Sequence, residues 1–324
     1  MDERLAFGVD IGATNIRVVL ANVKGQILVK LSERTDIKNG PLGISNQVIR
    51  LIRSIRIKDS QLRKIEGVGV GSAGPIHLKR GGLIHPSNIP YDFIPLVEPI
   101  EKEFGFKTRL LNDGSAAVMG EHFYGAGQGI NNLAYVTIST GIGGGVYVDG
   151  HLLMGKDGNA VEIGHFTIDY EGRLTCGCGG NGHWEAYCSG RGIPHYLKLI
   201  LKDKSKELES SNLLHYFQRS GGRPSARNLY VSARTGDNLA LSIVDMIGNL
   251  NSIGFACIND AYDPSLITVG GSITLNNSNL IIEPIKKYIS RHSINRAPEI
   301  KITPLGGDVV IYGALAKIFQ QPST

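Results

Sequence analysis

The feature that most constrains this chain is a pattern of strand, glycine-rich turn and strand that occurs twice. The first copy is the apolar run Leu5–Ile11 followed by Gly12-Ala-Thr-Asn15, and the second is Leu133–Ser139 followed by Thr140-Gly-Ile-Gly-Gly-Gly145. Short apolar runs that end in small residues are typical of buried strands followed by tight turns. Two similar halves in one chain predict an α/β protein with two lobes and a central cleft, the usual place for a ligand.

The elements around the two copies predict where each lobe lies in the chain. Val309–Phe319 is apolar and predicts a closing helix. We expect a small α/β lobe formed by residues 1–114 together with about 309–324, and a large α/β lobe formed by residues 115–308. Residues 202–228 are polar and rich in Ser, Lys and Arg, which indicates an exposed loop or a loosely packed helical insertion in the large lobe.

Composition narrows the class of protein. Hydrophobic residues make up 42% of the 324 residues and charged residues 19%, so a packed core is feasible. The net charge is only +5 and there is no long block of like charges, so we expect no nucleic-acid partner. Four cysteines are too few for a disulfide scaffold. The chain has no apolar run near 18 residues and begins without a secretory pattern, so we expect a soluble cytoplasmic protein that binds no membrane.

One glycine motif suggests a different fold. Gly69-Val-Gly-Ser-Ala-Gly74 follows a predicted strand and matches the dinucleotide-binding fingerprint. Pro75 and a run unlike a helix follow it, whereas a pyrophosphate needs a helix N-terminus at this point. We therefore interpret these glycines as structural.

The two glycine-rich turns have the composition of phosphate sites. Asp10 lies near the end of a buried strand, and Gly12, Thr14 and Asn15 follow it. Backbone N–H groups and the Thr14 hydroxyl of such a turn can approach phosphate oxygens, and Asp10 can hold Mg²⁺ through water. A plain hairpin would show the same short pattern. The second turn and a third Gly turn, which follow predicted strands, add four candidate nucleotide-binding residues: Thr140, Gly141, Gly270 and Gly271.

A carboxylate and an amide follow another predicted strand. In Leu111-Asn-Asp-Gly114, Asn112 and Asp113 stand side by side at the end of the strand. Phosphoryl transfer depends mainly on positioning and charge stabilisation, with a carboxylate to accept the proton of the attacking hydroxyl. Asp113 is therefore the candidate catalytic base, although Asn-Asp-Gly is also an ordinary turn sequence.

Cysteine and histidine are concentrated in one segment. His165, Cys176, Cys178 and His183 follow the spacing H-x10-C-x-C-x4-H. Two thiolates and two imidazoles form a closed tetrahedral zinc site, which is structural because no coordination position stays open. Reduced buried cysteines and a surface histidine are the alternative interpretation.

Together these motifs closely resemble the ROK family of sugar kinases, from residue 6 to about 319. Asp10-Ile-Gly-Ala-Thr14 is similar to the family's Asp-x-Gly-Gly-Thr, with Ala13 for the second glycine. Asn112-Asp113 and Glu162-Ile-Gly-His165 match two further motifs. Cys176 to Glu185 resembles Cys-x-Cys-Gly-x-x-Gly-Cys-x-Glu, with His183 where a third Cys is usual.

The resemblance implies a fold, an activity and a site. The fold is the actin-like ATPase (ribonuclease H-like) fold, with two α/β lobes around a central cleft. The activity is ATP-dependent phosphorylation of a hexose at its 6-hydroxyl, glucose first, with ATP, Mg²⁺ and a structural Zn²⁺ as cofactors and Asp113 as catalytic base. The implied sugar-binding residues are Gly74, Asn88, Asn112, Asp113, Glu162, His165 and Glu185. Kinases of this family are commonly dimers or tetramers, so a homo-oligomer is expected.

Two alternatives remain at this point. An N-acetylhexosamine, mannose or fructose kinase differs from a glucose kinase only around C1 and C2 of the sugar, a difference that the sequence does not resolve. A non-catalytic sugar sensor or ROK repressor is the other class. It is disfavoured because Asp10 stands ten residues from the start, which leaves no room for a helix-turn-helix.

The zinc segment adjoins the implied sugar pocket. His165 belongs to both, and Glu185 follows the last ligand by two residues. We expect the metal to orient these two side chains, so that its removal weakens sugar binding more than ATP binding. Cys188 is the substitute ligand if His183 does not bind.

Overall fold

The computed structural model describes residues 4–86, 90–219, 221 and 223–320. The chain forms two compact units. The first comprises Met1–Asn131, Gly145–Val161 and Thr303–Thr324, and the second comprises Asn132–Gly144 and Glu162–Ile302. Each unit contains both strands and helices, which confirms the α/β class.

The first unit is built on a five-stranded sheet of order β3-β2-β1-β4-β8. The first three strands form an antiparallel meander, and β1, β4 and β8 run parallel. A separate three-stranded sheet has the order β5-β6-β7. The elements from residue 5 to 124 are β1 (Leu5–Ile11), β2 (Asn15–Asn22), β3 (Ile27–Arg34), α1 (Gly43–Ser54), α2 (Asp59–Leu62), β4 (Ile65–Ser72), β5 (Ile76–His77), β6 (Gly82–Ile84), β7 (Phe93–Pro95), α3 (Val97–Phe104), β8 (Thr108–Asn112) and α4 (Asp113–Tyr124).

The closing helix of the chain, Val309–Phe319, packs on this first unit at very close range. Gly67, Gly69 and Gly71 point to one side of β4, and a side chain on any of them would meet this helix. Gly69 faces the backbone of Ala314, so even a methyl group there would clash. Two glycines of the apparent dinucleotide fingerprint, Gly69 and Gly71, therefore serve helix–sheet packing.

The helix α4 packs on the same closing helix, which explains its place in the first unit. A Cβ on Gly120 would meet the carbonyl oxygen of Val309, and one on Gly313 would meet the backbone of Ala116. Helices come this close only where small residues face each other. The first unit thus extends beyond the boundary expected at residue 114, and it also takes in Gly145–Val161.

The remaining elements follow α4 in chain order, with a second sheet of order β11-β10-β9-β12-β13. The strands β9, β12 and β13 run parallel. These elements are β9 (Leu133–Ile138), β10 (Ile142–Val148), β11 (His151–Leu152), α5 (Trp184–Cys188), α6 (Gly192–Ile200), α7 (Ser205–Glu209), α8 (Asn212–Arg219), α9 (Ala226–Arg234), α10 (Asn238–Tyr262), β12 (Leu266–Gly270), α11 (Ser272–Asn276), α12 (Ser278–Tyr288), β13 (Glu299–Ile302) and α13 (Val309–Phe319). Short 3-10 helices cover Ile163–His165, Leu201–Asp203, Ile289–Arg291 and Gly306–Asp308.

The longest helix, α10, is by length and composition the one described helix that could cross a membrane. More than half of its most apolar window, 56%, is buried inside the protein. It is therefore placed as a core helix, as its wide apolar face predicted. Within the second unit it buries Trp184, whose indole N–H donates to the side chain of Asn251 at 2.8 Å.

The polar segment 202–228 is helical over much of its described length. It contains α7 and α8 and the start of α9. Leu213 and Phe217 of α8 are buried, with 0% and 5% of their surface exposed. The segment is therefore anchored to the second unit by an apolar face, which its polar composition concealed.

Candidate functional site

Three strands of the first unit end together at one edge of the sheet. Ile11 at the end of β1 pairs with Ser72 at the end of β4, and Ser72 pairs with Asn112 at the end of β8. The turn Gly12–Asn15, the loop at Gly74 and the start of α4 therefore leave the sheet at neighbouring points. The carboxyl edge of parallel strands is where α/β proteins place their ligands.

The first glycine-rich turn is closed by its own surroundings in the chain. The N–H of Gly12 donates to the carbonyl of Asn15 at 3.0 Å. Thr35, just after β3, donates its N–H to the carbonyl of Thr14 at 2.9 Å and its hydroxyl to the carbonyl of Gly12 at 2.7 Å. The side chains of Thr14 and Asn15 stay exposed. The turn is thus fixed through its backbone and leaves its hydroxyl and amide free for a ligand.

Asp10 lies directly beneath this turn and is paired with a cation. Its residue surface is 6% exposed, and the guanidinium of Arg17 donates to its Oδ2. Arg17 is itself held by the carbonyl of Gly307 at 2.5 Å and by Oδ1 of Asp308 at 3.1 Å. Burial raises the pKa of Asp10, and the charge of Arg17 lowers it in part.

This arrangement suits a cation site with one protein carboxylate. Among the described residues, none donates a hydrogen bond to Oδ1 of Asp10, so that oxygen is open to an aqueous ligand. Mg²⁺ in phosphoryl-transfer sites keeps several waters and takes one or two carboxylates from the protein. Asp10 therefore fits the role expected for it.

The candidate base Asp113 is the first residue of α4. Asn112 caps this helix, because its side-chain oxygen accepts the N–H of Gly114 at 2.9 Å. Oδ1 of Asp113 accepts the same N–H at 2.8 Å. Asn112 is buried and Asp113 is half-buried. The cap therefore fixes the helix start and, with it, the direction in which the Asp113 carboxylate leaves the backbone.

The loop at Gly74 is held by a residue that the sequence analysis missed. Asn159 accepts the N–H of Ile76 at 2.8 Å and donates to its carbonyl at 2.7 Å. A Cβ on Gly74 would lie 2.9 Å from the amide nitrogen of Asn112, so glycine lets the backbone come close to that side chain. No local signal marks Asn159, which lies outside every motif. Asn88, the other predicted sugar contact near this loop, lies outside the described residues.

Two glycine-rich turns of the second unit also lie at one sheet edge. Gly270 at the end of β12 pairs with Thr137 near the end of β9. Just beyond, the hydroxyls of Ser139 and Ser272 are 2.9 Å apart. Gly271 has a φ of +89° and its missing side chain leaves room for the backbone of Ile138. The structure thus brings Thr140–Gly141 and Gly270–Gly271 together at one sheet edge. Their role in nucleotide binding stays a prediction.

A cavity of about 490 Å³ opens beside the second of these turns. This volume lies in the range of small-molecule sites. Its wall comes from α9 and α11 and consists of Ala226, Arg227, Tyr230, Arg234, Ser272, Ile273, Asn276 and Asn277. The sequence did not single out these residues, because two of them, Ala226 and Arg227, lie at the end of the polar segment 202–228 and the others stand outside every motif.

The four predicted metal ligands lie within 4.8 Å of one another. Nδ1 of His165 is 3.3 Å from Nδ1 of His183 and 3.7 Å from Sγ of Cys176. Sγ of Cys178 is 3.2 Å from Nδ1 of His183. A tetrahedral zinc ion with ordinary bond lengths separates two nitrogens by about 3.3 Å and a nitrogen from a sulfur by about 3.6 Å. The donor set and its spacing therefore fit zinc.

The thiols differ in their surroundings. Burial raises the pKa of Cys176 to about 11, so a metal must displace a firmly held proton there. Cys188 lies apart from the cluster, fully buried with its sulfur 3.8 Å from the carbonyl of Ile247. It is placed as core filling and not as the substitute ligand.

His165 uses its two nitrogens on different partners. Nδ1 faces the metal cluster, and Nε2 lies 4.0 Å from Oε2 of Glu162. Burial raises the pKa of Glu162, the nearby charge of His165 lowers it, and Glu185 raises it further. An imidazole fixed by metal on one nitrogen has its other N–H aimed in a set direction. The cluster can therefore orient His165 toward a ligand beside Glu162.

Glu185, a predicted sugar contact, is also bound to the second turn. Its Oε2 accepts the backbone N–H of Ile142 at 2.8 Å, and Oε1 lies 3.9 Å from Sγ of Cys176. A Cβ on Gly141 would collide with the same carboxylate. Residues 165–183, which carry the four candidate zinc ligands, are called the metal loop below. The half-buried Glu185 therefore links the metal loop to the turn that carries Thr140.

Comparison with known proteins connects these features. The family model of the ROK family matches residues 6–319. The glucokinase of Pyrobaculum calidifontis is 35% identical over 98% of this chain and 96% of its own length. The glucokinase of Aeropyrum pernix is 32% identical over 97% of this chain and 96% of its own. The crystal structure of a ROK family glucokinase from Streptomyces griseus, in complex with glucose and AMPPNP, superposes with a TM-score of 0.76 at 28% identity, over 98% of this chain and 100% of that one.

Proposed function

The chain belongs to the ROK family and has the actin-like fold of its sugar kinases, and we propose that it phosphorylates glucose at the 6-hydroxyl with ATP. It is a sugar kinase, an enzyme that moves a phosphoryl group from a nucleotide to an alcohol. The observation that carries the proposal is the edge of the first sheet, where a phosphate-type turn, the Gly74 loop and the pair Asn112–Asp113 leave neighbouring strands. Full-length similarity to glucokinases supports glucose as the acceptor.

Asp113 acts as the base in this proposal. Its carboxylate accepts the proton of the sugar 6-hydroxyl while that oxygen forms a bond to the γ-phosphorus of ATP. The bond between the γ-phosphorus and the β,γ-bridging oxygen breaks, and ADP leaves with the electron pair. Because Asn112 fixes the start of α4, the carboxylate is positioned before the sugar arrives, which lowers the entropic part of the barrier.

The sugar contacts proposed in the first unit are Gly74, Asn112 and Asp113. Those proposed in the second unit are Glu162, His165 and Glu185. Carboxylates and an imidazole suit the hydroxyls around C1 and C2 of glucose, because each accepts or donates hydrogen bonds that strengthen with charge.

The nucleotide-binding residues proposed in each unit lie in glycine-rich turns. In the first unit the turn Gly12–Asn15 would receive phosphate oxygens, with Asp10 as the carboxylate that holds Mg²⁺ through water. The ion neutralises charge on the phosphates. In the second unit Thr140 and Gly141 would contact phosphates. The cavity beside Gly270–Gly271 has the size for the adenosine moiety, and the guanidinium groups of Arg227 and Arg234 line it.

Zinc, in the same proposal, is bound by His165, Cys176, Cys178 and His183 and takes no part in the chemistry. It closes the loop on which His165 stands and from which Glu185 follows. Four protein ligands would leave no coordination position open, so the contribution of zinc would be the orientation of those two side chains. A cytoplasmic location and a homo-oligomer, dimer or tetramer, complete the proposal; the four cysteines, all within the described residues, form no disulfide.

A panel of sugars tests the function. Purified protein with ATP and Mg²⁺ is given glucose, mannose, fructose, N-acetylglucosamine or N-acetylmannosamine, and ADP release is measured for each. We expect the highest kcat/KM with glucose. Sugar-independent ADP release, or none with any hexose, would contradict a kinase, and a clear preference for an N-acetylhexosamine would move the substrate assignment.

Replacement of the base tests the mechanism. Asp113→Ala should lose several kcal/mol of transition-state stabilisation, a fall of about 10³-fold or more in kcat, while the fold and the glucose affinity change much less. Asp113→Asn is the matched variant, because it keeps the shape but not the basicity. Near-normal turnover in either variant would refute the assignment of Asp113.

A further inference from the structure

We propose that Glu185 is a positioning residue for the nucleotide as well as a sugar contact, and that through it sugar binding and nucleotide binding are coupled. This inference rests on the proposed function, because it takes the Thr140–Gly141 turn as a phosphate site. The geometry behind it lies entirely in the second unit and joins the metal loop, the helix α5 and the turn before β10.

The turn is built around the Glu185 carboxylate. Oε2 accepts the N–H of Ile142 at 2.8 Å, the first residue of β10. Gly141 has no side chain, and a Cβ there would occupy the position of that oxygen. A backbone N–H bound to a charged acceptor makes one of the stronger hydrogen bonds in a protein. The direction of the Gly141–Ile142 peptide, at the end of the Thr140–Gly141 turn, therefore depends on where Glu185 lies.

The segment after α5 adds two backbone bonds to the same turn. The N–H of Gly190 donates to the carbonyl of Ser139 at 2.7 Å, and the N–H of Arg191 donates to the carbonyl of Thr140 at 3.2 Å. With the bond from Glu185, three contacts join residues 185–191 to residues 139–142. A shift of α5 would move the turn with it, whereas a shift of the carboxylate alone would release Ile142.

The other carboxylate oxygen is the one left for the sugar. Oε1 points to the metal loop, 3.9 Å from Sγ of Cys176, and receives no N–H from a described residue. A sugar hydroxyl on Oε1 would hold the carboxylate in place and so keep Oε2 on Ile142. The turn then needs less ordering when the phosphates bind, which is positive coupling between the two ligands. The coupling is reciprocal, so the nucleotide must strengthen sugar binding by the same factor.

The experiment measures binding of each ligand alone and together by calorimetry, with MgADP and glucose as probes. Without sugar, Glu185→Ala should weaken MgADP about tenfold, because the turn loses a charged hydrogen bond. Glu185→Gln should bind MgADP nearly as the wild type does, since its amide oxygen can accept the same N–H. In the wild type, glucose should raise the affinity for MgADP by about fivefold or more. In Glu185→Ala the ratio of the MgADP affinities with and without glucose should fall to one.

Two further variants separate this role from general damage. Glu162→Gln removes a proposed sugar contact that does not bind the turn, so MgADP affinity without sugar should not change. In Gly141→Ala the added methyl group displaces the Glu185 carboxylate from the side of the turn. Glucose affinity in the absence of nucleotide should therefore fall several-fold. Melting temperature and bound zinc are recorded for every variant.

The outcomes are distinguishable. Unchanged MgADP affinity in Glu185→Ala, or an equal loss in Glu162→Gln, would overturn the coupling role while leaving the kinase intact. Unchanged glucose affinity in Gly141→Ala would also overturn it, and this variant stands if Glu185→Ala does not fold. A wild-type protein that binds neither MgADP nor any sugar of the panel would instead refute the proposed function, and the inference with it.

Discussion

The turn Gly12–Asn15 and the turn at Thr140–Gly141 both follow a buried strand, but different parts of the chain hold them. The first is closed by its own backbone and by Thr35, with Asp10 and Arg17 beneath it. The second is held by Glu185 and by residues 190–191, more than 40 positions along the chain. The first turn is therefore a local structure, whereas the second depends on the metal loop that precedes Glu185.

This difference has a mechanical consequence. A local turn keeps its shape as long as the strands around it are formed. A turn held by a distant side chain changes when that side chain moves, so it can respond to a ligand or a metal bound elsewhere. Under the proposed function the first turn is the rigid part of the nucleotide site and the second is its adjustable part.

The largest effect is expected at the first turn. Asp10→Asn removes the charge that would hold Mg²⁺ and the carboxylate that pairs with Arg17. We expect kcat to fall on the order of 10²–10³-fold with glucose affinity nearly unchanged, since the ion's charge acts on the transferred phosphoryl group. Steady-state kinetics with varied Mg²⁺ and glucose calorimetry measure both quantities. A loss of glucose affinity as large as the fall in kcat would show that Asp10 also affects sugar binding, which contradicts this prediction.

The second turn should respond to loss of the metal, and the first should not. In Cys176→Ser with Cys178→Ser, we expect glucose affinity to fall about tenfold or more, because His165 and Glu185 lose their fixed directions. MgADP affinity should fall by a smaller factor, through Glu185 and Ile142. Calorimetry with metal analysis provides the measurement. Cys257→Ser is the matched control, since this half-buried thiol lies outside the cluster.

Zinc-free protein that binds glucose as tightly as before would rule out the orienting role of the metal. A larger loss of MgADP affinity than of glucose affinity would show that the loop with the zinc ligands supports the Thr140–Gly141 turn more than the sugar pocket. The sequence predicted the opposite order of the two losses.

A smaller effect is expected at Arg17, which supports Asp10. Arg17→Ala removes the cation that bridges Asp10 to Asp308 and Gly307. Because its side chain is 26% exposed, solvent screens part of the loss, and we expect about 1–2 kcal/mol in MgADP affinity. Arg17→Lys should recover only part, since an ammonium lacks the fork that spans two partners. Binding of Mn²⁺ measured by electron paramagnetic resonance reports the cation site itself, and unaltered binding in Arg17→Ala would show that Asp10 needs no support.

The same contrast explains how far the sequence predicted this molecule. Strand β1 and the helix α13 were predicted with the bounds that the structure shows, because a buried strand and a core helix have strong apolar patterns. The cluster of His165, Cys176, Cys178 and His183 was predicted from the spacing of Cys and His in the sequence, since one loop carries three of its four members. The role of Asn159 and the hydrogen bond from the N–H of Ile142 to Glu185 were not predicted. Each joins residues that are far apart in the sequence, so neither produces a repeating pattern of residue types.

The boundary of the first unit was missed for a related reason. Helix α4 belongs with the closing helix because Gly120 and Gly313 allow the two backbones to approach. Such pairing of small residues is invisible in a chain of 42 glycines, most of which serve turns and other close contacts. Local structure could be read, but the side-chain contacts that join distant segments could not.

The smallest effect is expected at Glu121, a carboxylate that holds a backbone loop in the first unit, as Glu185 does in the second. Glu121 of α4 is fully buried, and its Oε2 accepts the N–H of Ala126 at 3.0 Å, while the hydroxyl of Thr303 donates to Oε1. Burial raises the pKa of Glu121, and the two hydrogen bonds offset this only in part. A carboxyl whose pKa is higher in the folded state favours folding below its unfolded pKa and loses that contribution as pH rises through the folded pKa. Glu121→Gln, which cannot ionise, should therefore gain stability relative to the wild type as pH rises from the unfolded pKa of a glutamate, about 4.3, into the neutral range. Thermal melts of both proteins across this range measure the gain. A difference in melting temperature that does not change with pH would contradict the raised pKa of Glu121 on which this prediction depends.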